Sequence, residues 1–334
     1  MTGYPLTRRT ALQGLTGLAL TAAIPLSRAW ADQGGASLNF LAVGDWGREG
    51  QFHQREVALA MADSAKNLGA HFVISVGDNF YEDGVTGVDD LQWEKSFEAV
   101  YDAPSLQIPW KVALGNHDYR GNAQAQLDYS AKSKRWQLPA RWYTFEDRAP
   151  DGARVAFFVI DTSPMIEAYY KDGAAKVKVG DQKDNVAVQL AWLDQALATS
   201  TADWKIVIGH HPVYSGKSPK GAVETVAKGD EAGTHKVGGS PDLIARLDPI
   251  LQRHAVPLYL NGHDHDLQHV LHGATHFVCT GAGSKTMAQC GMAGSDFCSV
   301  ESGFIGCAVN RDRLRVAYRD YTGAELHVVD IPRG

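Results

Sequence analysis

The sequence predicts an α/β (α+β) protein in which two mixed β-sheets pack together under a covering of helices. Three observations carry this. Apolar, strand-like runs alternate with amphipathic stretches through the first two-thirds of the chain. From Leu267 onward the pattern changes to short strands with no helical stretch between them. Five of the strand-like runs end in glycine and are followed at once by an oxygen or imidazole donor. They read FLAVGD (Phe40 to Asp45), FVISVGD (Phe72 to Asp78), KVALGNH (Lys111 to His117), IVIGH (Ile206 to His210) and LYLNGHDH (Leu258 to His265).

In order along the chain, a strand ending at Gly44 leads to an amphipathic helix over Gln51 to Leu68, with Val57, Met61 and Leu68 at helical spacing. A strand at His71 to Val76 precedes a segment where Trp93, Phe97 and Val100 again recur helically. Trp110 to Leu114 is the next strand, followed by a helical stretch to about Lys134 and a strong strand at Arg154 to Ile160. Pro164 to Lys183 is polar and glycine-interrupted, which predicts a surface loop. Val186 to Ala198 carries Leu190, Leu193 and Leu197 on one helical face, and Trp204 to Ile208 is a strand. Ser215 to Gly239 is a long glycine- and lysine-rich loop, a length that is usually functional or disordered. Ser240-Pro241 starts a helix, with proline at the favoured first position. The closing strands are Leu267 to Leu271, Thr275 to Thr280, Phe304 to Asn310, Leu314 to Tyr318 and Glu325 to Asp330. No linker interrupts residues 32–334, which read as a single domain.

Composition narrows the function. The chain has 334 residues, 44% of them hydrophobic, enough for a substantial core. A net charge of -6 argues against a nucleic-acid binder that works by neutralising phosphates. A mean hydropathy of -0.24, without a long apolar span past the N-terminus, excludes a polytopic membrane protein. Residues 1–31 read as a targeting segment. Arg8-Arg9 precede a mildly apolar stretch from Ala11 to Leu26, and Ala29-Trp30-Ala31 gives the small-x-small pattern that signal peptidase accepts. The paired arginines point to the bacterial Tat route, with the Tat translocase as a partner during export and a periplasmic or secreted destination. An N-terminal membrane anchor is the alternative, disfavoured because the apolar stretch is short and diluted by Gly and Thr. Removing this segment takes away three arginines and no acid, which moves the net charge from -6 to -9 and leaves nothing for stable membrane insertion.

The four cysteines lie late in the chain, and none forms a C-x-x-C pair. In an oxidising compartment, Cys290 and Cys298 suit a local bridge across a glycine- and serine-rich loop. Cys279 and Cys307 fall in separate strand-like runs, where they could pair across a sheet or remain as buried thiols.

The five strand ends carry the chemistry. Each alone has a plainer explanation: Asp45 as a turn aspartate, Asn116 as a cap, His263 and His265 as a surface pair. Together they deliver carboxylates, an amide and imidazoles to the carboxyl edge of the predicted sheet, where α/β proteins bind ligands. Asp78 has a phenol three residues on, Tyr81, so both could reach one cation. His263 and His265, at i and i+2, project to one side if that segment is extended. The pattern describes a two-metal site.

These residues resemble the purple acid phosphatases, within the wider metallophosphoesterase superfamily. GDWG, GDNFY, GNHD, VIGH and GHDH occur in that family's order and approximate spacing, and the likeness is closest to its small, tartrate-resistant, mammalian-type members. It runs from about Asn39 to the end and includes Ser133-Lys134-Arg135-Trp136, His211-Pro212-Val213-Tyr214-Ser215 and Thr280-Gly281-Ala282-Gly283. The resemblance implies a four-layer αββα sandwich. It implies an Fe(III) site made by Asp45, Asp78, Tyr81 and His265, and a divalent site, Fe(II), Zn(II) or Mn(II), made by Asp78, Asn116, His210 and His263. Hard anionic donors suit the trivalent ion, and imidazole with amide suits the divalent one. The implied reaction is hydrolysis of phosphate monoesters by in-line attack of a metal-bound hydroxide, with cations about 3.5–4 Å apart and phosphate as a product. His117 is implied to bind phosphate or protonate the leaving alkoxide, or else to serve as a hydrogen-bonding support. Relatives carry a further substrate-facing histidine soon after the VxxH segment. Here none follows until His235, which either replaces it from a longer loop or belongs to a loop that alters substrate choice. His211 follows a predicted ligand on a strand and is expected to pack. A phosphodiesterase or nucleotide pyrophosphatase using the same metals, or a binding protein on a retained fold, are the competing readings.

Overall fold

A computed structural model describes residues 37–171, 176–180, 182–216, 239–288, 290 and 295–334. The predicted targeting segment and His235 lie outside the described residues. One seven-stranded sheet runs in the order β14 (Glu325–Pro332), β13 (Arg313–Asp320), β12 (Gly303–Val309), β1 (Leu38–Val43), β2 (Phe72–Ser75), β3 (Trp110–Val112), β4 (Trp136–Gln137). The second runs β11 (Phe297–Ser299), β9 (Leu267–His272), β10 (Thr275–Thr280), β8 (Leu258–Asn261), β7 (Trp204–Ile208), β6 (Arg154–Val159), β5 (Tyr143–Arg148). Both are mixed. β1, β2, β3 and β4 are parallel, as are β6, β7, β8 and β10, and the late strands add antiparallel edges. The expected two-sheet, helix-covered architecture is present.

The central parallel strands β1, β2, β6, β7 and β8 are buried on both faces, so they read as continuous apolar runs rather than as alternations. In β1, Phe40 and Ala42 face the second sheet, where they join Phe157, Ile206 and Leu258 in the inter-sheet core. Leu41 and Val43 face outward against Val57 and Met61 of helix α1 (Gln54–Leu68). On the other side, Leu193 and Leu197 of α3 (Lys183–Thr199) cover Phe158 and Val207. Three shorter helices complete the covering: α2 (Ala123–Tyr129), α4 (Pro241–Arg246) and α5 (Asp248–Arg253). Pro241 occupies the first turn of α4, and Ser240 caps it by accepting from the Leu243 N–H.

Beneath the strand ends of the first sheet lies a cluster of rings built on Trp46. Phe80, Phe97, Tyr101, Trp110 and Trp136 all have ring centroids within 6.4 Å of it. Trp46 Nε1–H also donates to Ser75 Oγ at 2.8 Å, which ties the segment after β1 to the end of β2. α1 begins three residues later than expected because the buried Gln54 side chain accepts from Arg48 N–H and Gly50 N–H, holding the preceding loop out of the helix.

Several expectations are corrected. Residues 164–183 are not an exposed loop throughout: Met165, Ile166, Tyr169, Val177 and Val179 are buried, in apolar pairs too short to show a period. The helix expected to reach Lys134 is limited to a single turn at Asp118–Arg120 and to α2. β5 escapes sequence reading because this edge strand is half-exposed and carries Glu146, Asp147 and Arg148. Cys290 and Cys298 form the expected disulfide. Cys279 and Cys307 do not pair; they are free buried thiols on strands of different sheets.

Four residues past His265, His269 on β9 is buried with its Nε2 2.9 Å from His276 Nδ1, and its ring is 5.9 Å from that of His327. Burial, then the neighbouring His276, pulls its pKa from 6.5 down to about 4. Between those two pH values the unfolded chain takes up a proton that the folded chain refuses. Stability is therefore expected to be full above pH 6.5 and to fall on acidification toward pH 4. His269→Gln should flatten that slope in urea denaturation at pH 7 and pH 5; an unchanged slope would refute the assignment.

Candidate metal centre

All seven residues singled out as metal donors converge at the carboxyl ends of β1, β2, β3, β7 and β8. Asp45, Asn116 and His210 are fully buried, Asp78 and His263 nearly so. Tight turns deliver them. Left-handed backbone falls on the donor residues themselves: Asp45 at φ 59, Asp78 at φ 48 and His263 at φ 72. Such conformations cost about 1–3 kcal/mol each and persist where surrounding structure imposes them. Of the preceding glycines only Gly77, at φ 102, also takes a positive φ, and the others serve chiefly to make room. A Cβ on Gly115 would overlap Asp78 Oδ1, and one on Gly262 would overlap Asp45 Oδ2. The positive φ at His263 also means that His263 and His265 are not on an extended strand, as their spacing suggested. β8 stops at Asn261, and Asp264 N–H turns back to the Gly262 carbonyl at 2.9 Å.

The donors divide into two groups that share one carboxylate. Tyr81 Oη lies 2.8 Å from Asp45 Oδ1, 3.0 Å from Asp78 Oδ2 and 3.0 Å from His265 Nε2. Asn116 Oδ1 lies 2.9 Å from His263 Nδ1 and 3.2 Å from His210 Nε2, and His210 Nε2 is 3.3 Å from Asp78 Oδ2. Asp78 thus divides its work. Oδ1 accepts the His117 backbone N–H at 2.7 Å, while Oδ2 faces both groups. The imidazole of His210 is oriented from behind, its Nδ1 donating to the Val76 carbonyl at 3.0 Å, which leaves Nε2 for the site.

Charge and protons fit cations here. One phenol proton cannot serve both Asp45 and Asp78. The buried Asn116 Nδ2 has no hydrogen-bond partner among the described residues. Burial, then Asp45 and Asp78, pushes the Tyr81 phenol well above its usual range. Burial also opposes charge on Asp78, yet the imidazoles of His210 and His117 outweigh it and hold that carboxyl well below its usual range. Conversely His210, despite burial, is raised to about 9 by Asp78. The buried carboxylates are therefore drawing positive charge from the histidines, a role that bound cations fill directly.

Other residues hold this arrangement, and the sequence reading had not singled out Asp118 among them. Buried Asp118 accepts from Gly115 N–H at 2.8 Å, Asn79 N–H at 3.0 Å and Gln126 Nε2–H at 2.7 Å, which joins the turns that present Asp78 and Asn116. Its place in the GNHD run was its only signal. His211 is buried beside His210, but both its ring nitrogens are engaged, at 2.8 Å by Thr162 Oγ1 and 2.9 Å by Tyr169 Oη. Its ring centroid is 4.5 Å from that of His263, so it packs and braces, as expected. His117 Nδ1–H donates to the Glu82 carbonyl, leaving Nε2 4.0 Å from Asp78 Oδ2.

A family model described as calcineurin-like phosphoesterase matches residues 38–267. The chain is 37% identical to Purple acid phosphatase 7 of Arabidopsis thaliana over 300 residues, which covers 87% of this chain and 85% of that protein. The chain belongs to the purple acid phosphatases. It is also 34% identical to the tartrate-resistant acid phosphatase type 5 of Sus scrofa over 320 residues, covering 89% of this chain and 87% of that one. Among solved structures, purple acid phosphatase PPD1 from yellow lupin shares the fold at a TM-score of 0.60 and 15% identity, covering 90% of this chain and 54% of that chain. GAP50, described as the anchor in the inner membrane complex of Plasmodium, matches at a TM-score of 0.71 and 25% identity over 90% of both chains. As a purple acid phosphatase, the protein hydrolyses phosphate monoesters at a dinuclear metal centre.

The crowding at Gly115 yields a direct test. Gly115→Ala should displace Asp78 and lower kcat/KM for a phosphomonoester by about 100-fold, the scale of an ångström-sized misplacement. Metal content should fall with it while far-UV circular dichroism stays unchanged. Wild-type activity in this variant would contradict the close packing described here.

Proposed function

We propose that Asp45, Asp78, Tyr81 and His265 hold Fe(III), that Asp78, Asn116, His210 and His263 hold Fe(II), Zn(II) or Mn(II), and that the pair serves an exported phosphomonoesterase. The observation that carries this is the shared Asp78 Oδ2, which lies between a set rich in hard oxygen donors and a set of imidazole and amide. Bound there, two cations supply Lewis acidity toward the phosphoryl oxygens and an activated water.

The remaining work belongs to the chain. The buried carboxylates and Tyr81 fix the charge balance, and the ring cluster under Trp46 keeps the strand ends rigid. His117, oriented by its bond to the Glu82 carbonyl, holds a proton on Nε2 for the leaving oxygen. Burial lowers the pKa of His117, so that proton is readily given up. An anchoring role, as described for GAP50, would not require this donor set. Residues 1–31 act as the Tat signal, and the mature enzyme works in the periplasm or outside the cell. Arg8→Lys with Arg9→Lys should leave the protein in the cytoplasm, read by fractionation; normal export would refute that route.

The enzymatic reading is tested on the purified mature protein. It should absorb visible light through a tyrosinate-to-iron transition, hydrolyse p-nitrophenyl phosphate in acid and lose activity on chelation. Tyr81→Phe should be colourless while retaining iron. A colourless wild type active only on bis-p-nitrophenyl phosphate would replace this reading with a diesterase.

A further inference from the structure

Against the loops that follow Glu82 and His117 lies a cavity of about 530 Å³ whose lining includes Arg120, Lys171, Lys176, Lys178, Tyr169 and Asp83. That volume is in the range of small-molecule sites, roughly 300–1,000 Å³. Among the described lining residues four are cationic and one is acidic, in a chain whose net charge is -6. Lys176 Nζ is 3.4 Å from Asp83.

The walls are fastened to the residues of the centre. Asp83 follows Glu82, whose carbonyl orients His117. Arg120 is buried and sits three residues past His117, on a turn packed against the backbone of residues 83–85 by Asn122 N–H donating to the Val85 carbonyl at 2.7 Å. Lys178 N–H donates to the Tyr119 carbonyl at 2.9 Å, which fixes the lysine segment to that same turn. Tyr169, also buried, bonds the ring of His211 next to His210. Arg120 therefore belongs to a rigid wall, and the three lysines form its exposed rim. Guanidinium and ammonium groups concentrated in this way suit phosphate oxygens.

We propose that this basic cavity is a leaving-group subsite that binds a second phosphate, so that favoured substrates are small molecules carrying two phosphate groups. The proposal rests on the phosphomonoesterase reading above. Water adds to the phosphorus at the centre, the ester P–O bond breaks, and the leaving oxygen takes a proton. Inorganic phosphate departs, and the fragment in the cavity keeps its remaining phosphate. Binding energy gained on this remote group favours bisphosphates over monophosphates.

The test compares fructose 1,6-bisphosphate with fructose 1-phosphate in the holoenzyme and in the triple variant Lys171→Gln, Lys176→Gln, Lys178→Gln. These side chains are exposed, and a thermal melt checks that the fold is kept. KM for the bisphosphate should rise about tenfold, a loss of about 1.4 kcal/mol, with kcat for both esters and KM for the monophosphate unchanged. The wild-type preference should also shrink as salt is raised. Equal KM values before and after substitution, or equal rises for both esters, overturn the proposal. If wild type hydrolyses neither ester, the enzymatic reading fails instead. Calorimetric titration with methylenebisphosphonate then decides the cavity: a tenfold weaker affinity in the variant supports it, and an equal affinity refutes it.

Discussion

Asp78 is the residue around which this structure is organised. Its carboxylate is buried at the end of β2, on a left-handed backbone position, with one oxygen fixed by the His117 N–H and the other shared between Tyr81 and His210. A buried carboxylate is costly unless positive charge and hydrogen bonds surround it. Here the surrounding groups come from three other strand ends, through His117, His210 and His263, so the stability of this one side chain and the assembly of the site are the same problem.

Rigidity around Asp78 comes from two layers behind it. The rings on Trp46 fill the space below the first sheet, and the Trp46 indole ties β1 to β2 through Ser75. Above them, Asp118 draws three segments together through Gly115, Asn79 and Gln126. Burial, then the nearby Asp78, raises the pKa of Asp118 to about 7, so its ionisation is sensitive to what neutralises Asp78. A bound cation would favour the charged, fully accepting form of Asp118 and tighten the loops that hold it. Metal binding and loop order are coupled in this way, without any separate moving part.

Much of the site was legible because its pattern is local. Five of the seven donors follow an apolar run and a glycine, and Gly115 and Gly262 are glycines because a donor from another strand passes where a Cβ would be. The supporting residues left no such trace. Asp118 resembles any polar residue in a turn, and although His211 was expected to pack, its partners Thr162 and Tyr169 were not legible. β5 was hidden by its charges, and the buried pairs within residues 164–183 by their brevity. The Cys279 and Cys307 thiols had equal claims to pairing until their strands fell in different sheets.

The sequence by itself determined the strand ends, the donor types and their order, since these depend on hydrophobic period and on chemistry carried by neighbouring residues. Beyond the donor grouping that the family resemblance implied, tertiary structure alone decided where left-handed backbone falls and how Asp83, Arg120 and the three lysines come to line one basic cavity. Those outcomes depend on distances between segments far apart in the chain. Packing sets such distances, and periodicity carries no record of them.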